Sequence, residues 1–229
     1  MKKGFTLSEV LITLGIVGVV AVLTVPGVMK NYKNRLYTSQ LQKVYSQISE
    51  ATQAMMNDQH VDNIYETTIA SANSCSNATK GICEKGVGLF LNNYFKSVKR
   101  NCGNGGTADK ACVATTYTTI DSGTGGSVDA EYCIQNTNGA AICAKWQDSM
   151  VNLIVDVNGP ASPNMIGRDV FAMDIKSDGT IVDYNAANRS KDPTVATAKK
   201  ACNGSGSTLN SRASGCLNAI IDAGWKMNY

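Results

Sequence analysis

The sequence has little histidine, little charge and no Cys-x-x-Cys pair. Among 229 residues, His60 is the single histidine, and 17% of the residues are charged. One histidine is too few for a metal site built from several imidazoles, and it argues against a Ser-His-Asp triad. Removing Lys2 and Lys3 leaves 19 basic residues against 18 acidic ones, so no global basic field remains to attract nucleic acid. The absence of Cys-x-x-Cys removes the signature of zinc ribbons and thioredoxin-type sites.

What the chain does contain is apolar material and cysteine. With 43% hydrophobic residues the chain has the composition of a folded globular protein. Its length suits one medium domain with an appendage, or two small domains. Eight cysteines indicate an oxidising compartment.

A long apolar run lies near the N-terminus. From Val10 to Val25 every residue is apolar, glycine or threonine, and Glu9 is the only charge between Lys3 and Lys30. A helix from Phe5 to Val25 would be roughly 30 Å long, about the thickness of a bilayer's hydrocarbon core. The lysines that precede the run predict a cytoplasmic N-terminus, with the remainder of the chain outside, and the cysteine content agrees.

Three interpretations compete for this run. A secretory signal peptide is disfavoured because Thr6, Ser8 and Glu9 separate the lysines from the apolar run, and no good small-x-small cleavage site follows. A plain membrane anchor fits the length. It does not explain a carboxylate inside the span, which costs about 2.5–3.5 kcal/mol unless it has a partner.

The third interpretation supplies that partner. The stretch Gly4-Phe5-Thr6-Leu7-Ser8-Glu9, after a basic leader and before an apolar run ending at Pro26, resembles the type IV prepilin and type II secretion pseudopilin family. The resemblance implies that a membrane prepilin peptidase cuts between Gly4 and Phe5 and methylates the new amine of Phe5. That amine would neutralise Glu9 of a neighbouring subunit, and such pairing in a helix bundle selects the register of assembly.

The resemblance also implies the rest of the organisation. Residues 1–4 would be a cleaved leader, 5–26 the transmembrane half of a helix, 27–58 its amphipathic half and 59–229 an extracytoplasmic globular domain. The implied location of the chain is the bacterial inner membrane, which it would cross once, and after assembly an extracytoplasmic filament. The implied partners are the peptidase, copies of the chain, other pilin-like subunits, an inner-membrane assembly platform and the lipid bilayer. No cofactor is expected.

Residues within the run have simpler roles. Gly15 and Gly18 would let neighbouring helices approach closely, or are merely tolerated. Thr13 and Thr24 are expected to bond to their own helix. Pro26 removes one backbone hydrogen bond and would kink or loosen the helix there.

Beyond Pro26 the pattern predicts an α+β fold, with one long helix packed on an antiparallel sheet of four to six strands. The helix would run from Phe5 to about Asp58, its core stripe formed by Val28, Tyr32, Leu36, Leu41, Val44, Ile48, Ala51 and Met55. We expect loop over 59–84, a second helix over about 86–100 and a last one over Ala213–Ala223. The predicted strands are Thr115–Asp121, Val128–Gln135, Ala140–Trp146, Met150–Val157, Asp169–Ile175 and Thr180–Tyr184, with hairpin turns at Asn138-Gly139 and Asp178-Gly179.

The cysteines are expected to form disulfides, for which eight residues allow 105 connectivities. The preferred pairs are Cys133–Cys143, which flanks the Asn138-Gly139 turn, and Cys202–Cys216, which would clamp a loop to the last helix. Cys75–Cys83 and Cys102–Cys112 are the further guesses.

Two other features remain open. One is an oxygen-rich loop that contains Asp156, Asn158 and Asp169. It resembles the inter-strand loop of secretion pseudopilins, some of which hold calcium. The alternative is an Asx-type turn in which Asp169 pairs with Arg168 or caps backbone amides. A cluster of Lys96, Lys99, Arg100 and Lys110 is the best candidate for contact with DNA, although Lys96 to Arg100 also suits a helix C-terminus.

The function predicted from these features is structural: a subunit of a type IV pilus or a type II secretion pseudopilus. The alternatives are a minor pilin that acts as an adhesive or DNA-binding tip, and a membrane-anchored extracytoplasmic enzyme. An enzyme is not expected, because no catalytic constellation is recognisable.

Overall fold

A computed structural model describes residues 4, 6–103, 111–184, 202 and 206–227. Phe5 and Lys110, both named above, and the leader lysines lie outside these residues. The chain divides into two compact units, 1–36 and 37–229.

The first unit is helical. Helix α1 spans Leu7–Asp58 with Pro26 inside it, so its first part belongs to this unit and its last part to the next. In the described part of the chain, α1 is the helix with the length and composition to cross a membrane. Its apolar side chains here are exposed, among them Leu11, Ile16 and Leu23, because this unit offers them nothing to pack against.

The second unit begins with the buried part of α1. Its apolar positions recur every three or four residues and are at most 6% exposed: Tyr37, Leu41, Val44, Ile48, Ala51 and Met55. Fully burying one such side chain contributes about 1.5–3 kcal/mol, so this stripe holds the helix in the core. The predicted stripe was wrong in its first three members, because Val28, Tyr32 and Leu36 are 65%, 61% and 38% exposed and precede this unit.

A six-stranded antiparallel sheet forms the body of this unit, and its strands neighbour one another in chain order. The strands are β3 (Ser97–Arg100), β4 (Tyr132–Asn136), β5 (Ala141–Gln147), β6 (Met150–Asp156), β7 (Val170–Ile175) and β8 (Ile181–Asp183). The α+β class and the antiparallel sheet are as predicted. Every residue of β6 and β7 is buried, so the centre of the sheet is covered on both faces rather than on one.

Both predicted hairpin turns connect neighbouring strands. Gly139, between β4 and β5, has φ 88°, and Gly179, between β7 and β8, has φ 80°. Only glycine adopts such angles without strain. A Cβ on Gly179 would also lie 2.9 Å from Met56 Sδ of α1, so that side chain would have to shift to make room for it.

The smaller elements differ most from expectation. Residues 59–84 were predicted to be loop, but they contain a two-stranded sheet of β1 (Ser74–Asn77) and β2 (Ile82–Lys85), with single 3₁₀ turns at Ile64–Glu66 and Ala78–Lys80. The disulfide between Cys75 and Cys83 joins paired positions of these two strands. That cross-link explains how so polar a segment holds a fixed pairing.

The predicted helix over 86–100 is also shorter. Helix α2 spans Val87–Tyr94, and Ser97–Arg100 is strand β3 at the edge of the large sheet. The predicted strand Thr115–Asp121 makes only isolated bridges, in which Thr118 pairs with Thr124 and Met165. The predicted last helix, Ala213–Ala223, is present as α4 (Cys216–Asp222). A short helix that was not predicted, α3 (Leu209–Arg212), precedes it, and both contact β7.

Candidate functional site

The start of α1 is held by two residues that cap each other. The Thr6 backbone N–H and the Thr6 hydroxyl both donate to Glu9 Oε2, each at 2.8 Å, and the Glu9 backbone N–H donates to Thr6 Oγ1 at 3.3 Å. This reciprocal arrangement is a capping box, which satisfies backbone donors that the first turn of a helix leaves unpaired.

The capping box changes the account of Glu9. The sequence interpretation found no cation for its carboxylate within the span and considered no other partner, whereas Thr6 supplies two hydrogen-bond donors. The signal for this was present, since Thr-x-x-Glu before an apolar run is the pattern of a capping box, and Thr6 was missed as a site residue. Glu9 is exposed, so the carboxylate can still meet a cation from outside the chain.

The rest of the apolar run has an open surface. Thr13 Oγ1 donates to Val10 O at 3.0 Å and Thr24 Oγ1 to Val20 O at 2.8 Å, which confirms that both hydroxyls bond to their own helix. Gly15 and Gly18 have no atom within 4 Å of the place where a Cβ would lie. The helix continues past Pro26 and gives each of these small residues an unobstructed face.

One comparison bears on this segment. Residues 1–25 match the family model of the prokaryotic N-terminal methylation motif. The chain carries the prepilin and pseudopilin signature. This motif contains Gly4, Phe5 and Glu9, on which the resemblance was based, and the structure adds Thr6 as the partner of Glu9. No curated protein and no solved structure is significantly similar to the chain.

Four disulfides tie the globular unit together. They join Cys75 to Cys83, Cys102 to Cys112, Cys133 to Cys143 and Cys202 to Cys216, the same pairs that the sequence favoured. The third bond links directly opposed residues of β4 and β5, and the fourth links a residue outside regular structure to the first residue of α4. Such short cross-links contribute about 2–3 kcal/mol each by restricting the unfolded chain.

The loop between β6 and β7 holds two fully buried carboxylates. Asp156 accepts hydrogen bonds from the Tyr117 hydroxyl at 3.0 Å and from the Asn158 backbone N–H at 3.3 Å. Asp169 accepts from the backbone N–H groups of Asn164 at 2.8 Å and Met165 at 2.6 Å. These bonds form an Asx-type turn and caps on backbone amides, the alternative set against a calcium site.

The charge of this acid pair follows from its surroundings. Burial, reinforced by the nearby Asp169, raises the pKa of Asp156 to about 8. Burial also raises the pKa of Asp169, but the two backbone N–H donors act in the opposite direction. Burial and the neighbouring carboxyl therefore both favour the protonated form of Asp156. Asn158 Oδ1 and Asn164 Oδ1 are buried without a donor among the described residues.

The basic cluster has a structural setting that the sequence did not predict. Lys96, Lys99 and Arg100 belong to or adjoin the edge strand β3 rather than a helix end. Lys99 Nζ donates to Ala111 O at 3.2 Å, and the Arg100 side chain lies against Gly81. Charged side chains on an edge strand discourage pairing with a foreign strand, which gives this cluster a role without any nucleic acid.

Proposed function

We propose that this chain is a structural subunit of a type IV pilus or a type II secretion pseudopilus, processed by prepilin peptidase and assembled through its N-terminal helix. The observation that carries the proposal is the match of residues 1–25 to the N-terminal methylation motif. The motif's family is structural rather than catalytic. The capped helix start and the open apolar surface of α1 support the same role.

The proposed chemistry of assembly involves two groups. Cleavage after Gly4 would create the N-methylated ammonium of Phe5, and Glu9 of a neighbouring copy would accept its charge. Phe5 and Glu9 are four positions apart, about 6 Å along a helix, so the pairing sets neighbouring copies off by about that distance. In a medium of low dielectric constant, an unpaired carboxylate is costly and a paired one selects this offset.

The proposed location follows from the same features. The apolar part of α1 would anchor the chain in the inner membrane, and the unit of residues 37–229 would lie outside the cytoplasm. Four disulfides suit that side of the membrane because they persist in an oxidising compartment.

Mass spectrometry of the mature N-terminus tests the proposal. The full chain, produced in cells that contain prepilin peptidase, should lose residues 1–4 and begin at Phe5 with one added methyl group. The variant Gly4→Leu should stay uncut. Gly4 has no atom within 4 Å of its would-be Cβ, so the substitution disturbs no packing.

The variant Gly15→Leu is the matched control, because Gly15 is equally open but lies away from the cut. It should be processed like the wild type. An intact Met1 in the purified wild-type protein would contradict the proposal and favour a plain membrane anchor.

A further inference from the structure

Three basic residues follow the apolar part of α1, and none of them has an ion-pair partner among the residues that the structure describes. Lys30, Lys33 and Arg35, called here the basic collar, are all exposed. The described residues form one ion pair, between Lys145 and Asp129, and it does not involve the collar. Between Glu9 and Glu50 the sequence contains no acidic residue, so nothing nearby on the helix neutralises these charges.

An apolar arc lies between the collar residues. With about 100° between successive residues of a helix, Val28, Met29 and Tyr32 fall within one third of the circumference. These three side chains are 65%, 47% and 61% exposed. In the same projection down the helix axis, Arg35 lies at one edge of this apolar arc and Lys33 at the other. Basic, aromatic and apolar side chains together, directly after a membrane-spanning segment, are typical of the level at which a helix leaves the hydrocarbon core.

The collar also lies at the depth of lipid headgroups. The apolar run ends at Val25, and five residues of helix place Lys30 about 7.5 Å beyond it. Each polar layer of a bilayer is about 5–8 Å thick, and lysine and arginine side chains extend several ångströms toward it. Tyr32 is of the type enriched at membrane–water interfaces.

We propose that the basic collar binds the headgroups of anionic phospholipids in the extracytoplasmic leaflet. This inference rests on the proposed function in one respect, the membrane anchorage of α1. Lipid fits better than a second copy of the chain. Copies offset by four positions, as proposed for the pairing of Phe5 with Glu9, would bring collar beside collar, and without headgroups between them the like charges would repel. Anionic headgroups remove that repulsion, and each basic residue near an anionic surface strengthens binding.

The test uses the mature full chain, one copy per nanodisc, in discs of equal phosphatidylglycerol and phosphatidylcholine. Native mass spectrometry of the protein released from the disc counts the lipids of each kind that stay bound. We expect the wild type to retain phosphatidylglycerol preferentially. The triple variant Lys30→Gln, Lys33→Gln, Arg35→Gln should lower the ratio of the two lipids by at least about fivefold, the effect of one such charge near an anionic surface.

A matched variant removes the same charge elsewhere. Lys80→Gln, Lys85→Gln and Lys226→Gln change three exposed lysines of the globular unit and should keep the wild-type ratio. An unchanged ratio in the collar variant, or an equal fall in the matched variant, would overturn the proposal. In a second experiment, with many copies per vesicle, a collar variant that keeps the lipid ratio in the discs but no longer cross-links copy to copy would assign the collar to a helix–helix contact and would overturn it too.

Failure of the proposed function gives a different result. A mature chain that does not enter the discs at all would contradict membrane anchorage. A chain that enters them without preferring the anionic lipid would contradict only the collar.

Discussion

At the scale of single residues, Glu9 has two separable properties: it caps α1 and it carries a charge. Its Oε2 atom accepts the backbone N–H and the hydroxyl of Thr6, and these bonds need an acceptor rather than a charge. Pairing with a neighbouring ammonium needs the charge. Substitutions that remove one property and keep the other can therefore assign the role in assembly.

We expect Glu9→Gln to abolish filament assembly as fully as Glu9→Ala, because glutamine keeps the cap but has no charge. Thr6→Ala should assemble normally and lose only about 1 kcal/mol of helix stability, the usual contribution of a cap. The measurement is the amount of chain in the sheared filament fraction, with membrane insertion measured alongside. Glu50→Ala, on the exposed face of the same helix, is the control, and normal filaments from Glu9→Gln would refute the charge pairing.

The buried carboxyl of Asp156 gives a prediction about pH. Its pKa of about 8 in the folded protein exceeds the unfolded value near 4, so between these limits the folded state binds more protons. The free energy of unfolding then falls as pH rises, by up to about 1.4 kcal/mol per pH unit for this group. Asparagine resembles the protonated acid. Asp156→Asn should therefore become increasingly more stable than the wild type as pH rises from 5 to 8, and the two should be equal only below the unfolded pKa near 4.

Denaturant unfolding of the full chain in mild detergent with a calcium chelator, followed by tryptophan fluorescence, measures this difference. The control Asp222→Asn changes an exposed acid and should leave the pH dependence as it is. If the wild type gained stability over the variant between pH 5 and pH 8, Asp156 would be ionised in the folded protein.

At the scale of elements, β8 is joined to α4 through one carboxylate. Asp183 at the end of β8 accepts from the backbone N–H groups of Gly215 and Asn218, the latter at 2.9 Å. Gly215 is the N-cap residue of α4, which begins at Cys216, and Asn218 lies in its first turn. The side chain is 2% exposed, so water does not replace it when it is removed.

Asp183→Ala should therefore lower the free energy of unfolding by about 2 kcal/mol, the combined effect of a lost cap and of buried donors left unpaired. Asp183→Asn keeps one acceptor and should lose less. Urea unfolding of both variants checks the order. An alanine variant as stable as the wild type would mean that Asp183 does not hold α4.

The elements that could be predicted from the sequence are those specified by residues within or next to them. The hairpins at Gly139 and Gly179 were predictable because the turn residues themselves specify the chain reversal. The disulfide pairs were predictable because the cysteines that bond are close in sequence. The start of α1 could have been placed better, since Thr6 and Glu9 mark it by their spacing.

The errors concern segments whose structure is decided by distant partners. Phe95 and Val98 continue the helical spacing of α2, but Ser97–Arg100 pairs with β4, which lies more than 30 residues along the chain. No feature of the sequence within or next to β3 predicts that pairing. The exposure of Val28 and Tyr32 was missed for a similar reason, because the stripe has the same spacing before and after the globular unit begins at residue 37.

At the scale of the whole molecule, the division at residue 36 predicts which fragments fold. The buried stripe of α1 from Tyr37 to Met55 is part of the core, while the helix before it contributes little to that core. A fragment that begins at Asn31 should be soluble and folded, with all four disulfides. A fragment that begins at Gln59 should aggregate, because it exposes the apolar surface that the stripe covers.

Gel filtration and counting of free thiols distinguish the two outcomes. Both fragments retain every cysteine, so a difference between them reports the packing of α1 rather than the cross-links. Equal solubility would show that the sheet does not depend on α1.

The pairing of the cysteines has a consequence for biogenesis. Numbered along the chain, the first bonds the second, the third the fourth, the fifth the sixth and the seventh the eighth. A polypeptide exported from its N-terminal side can close each bond before the next cysteine emerges. An oxidase that acts on thiols in order of arrival would thus produce the native set directly, and maturation would need no enzyme that reshuffles mispaired bonds.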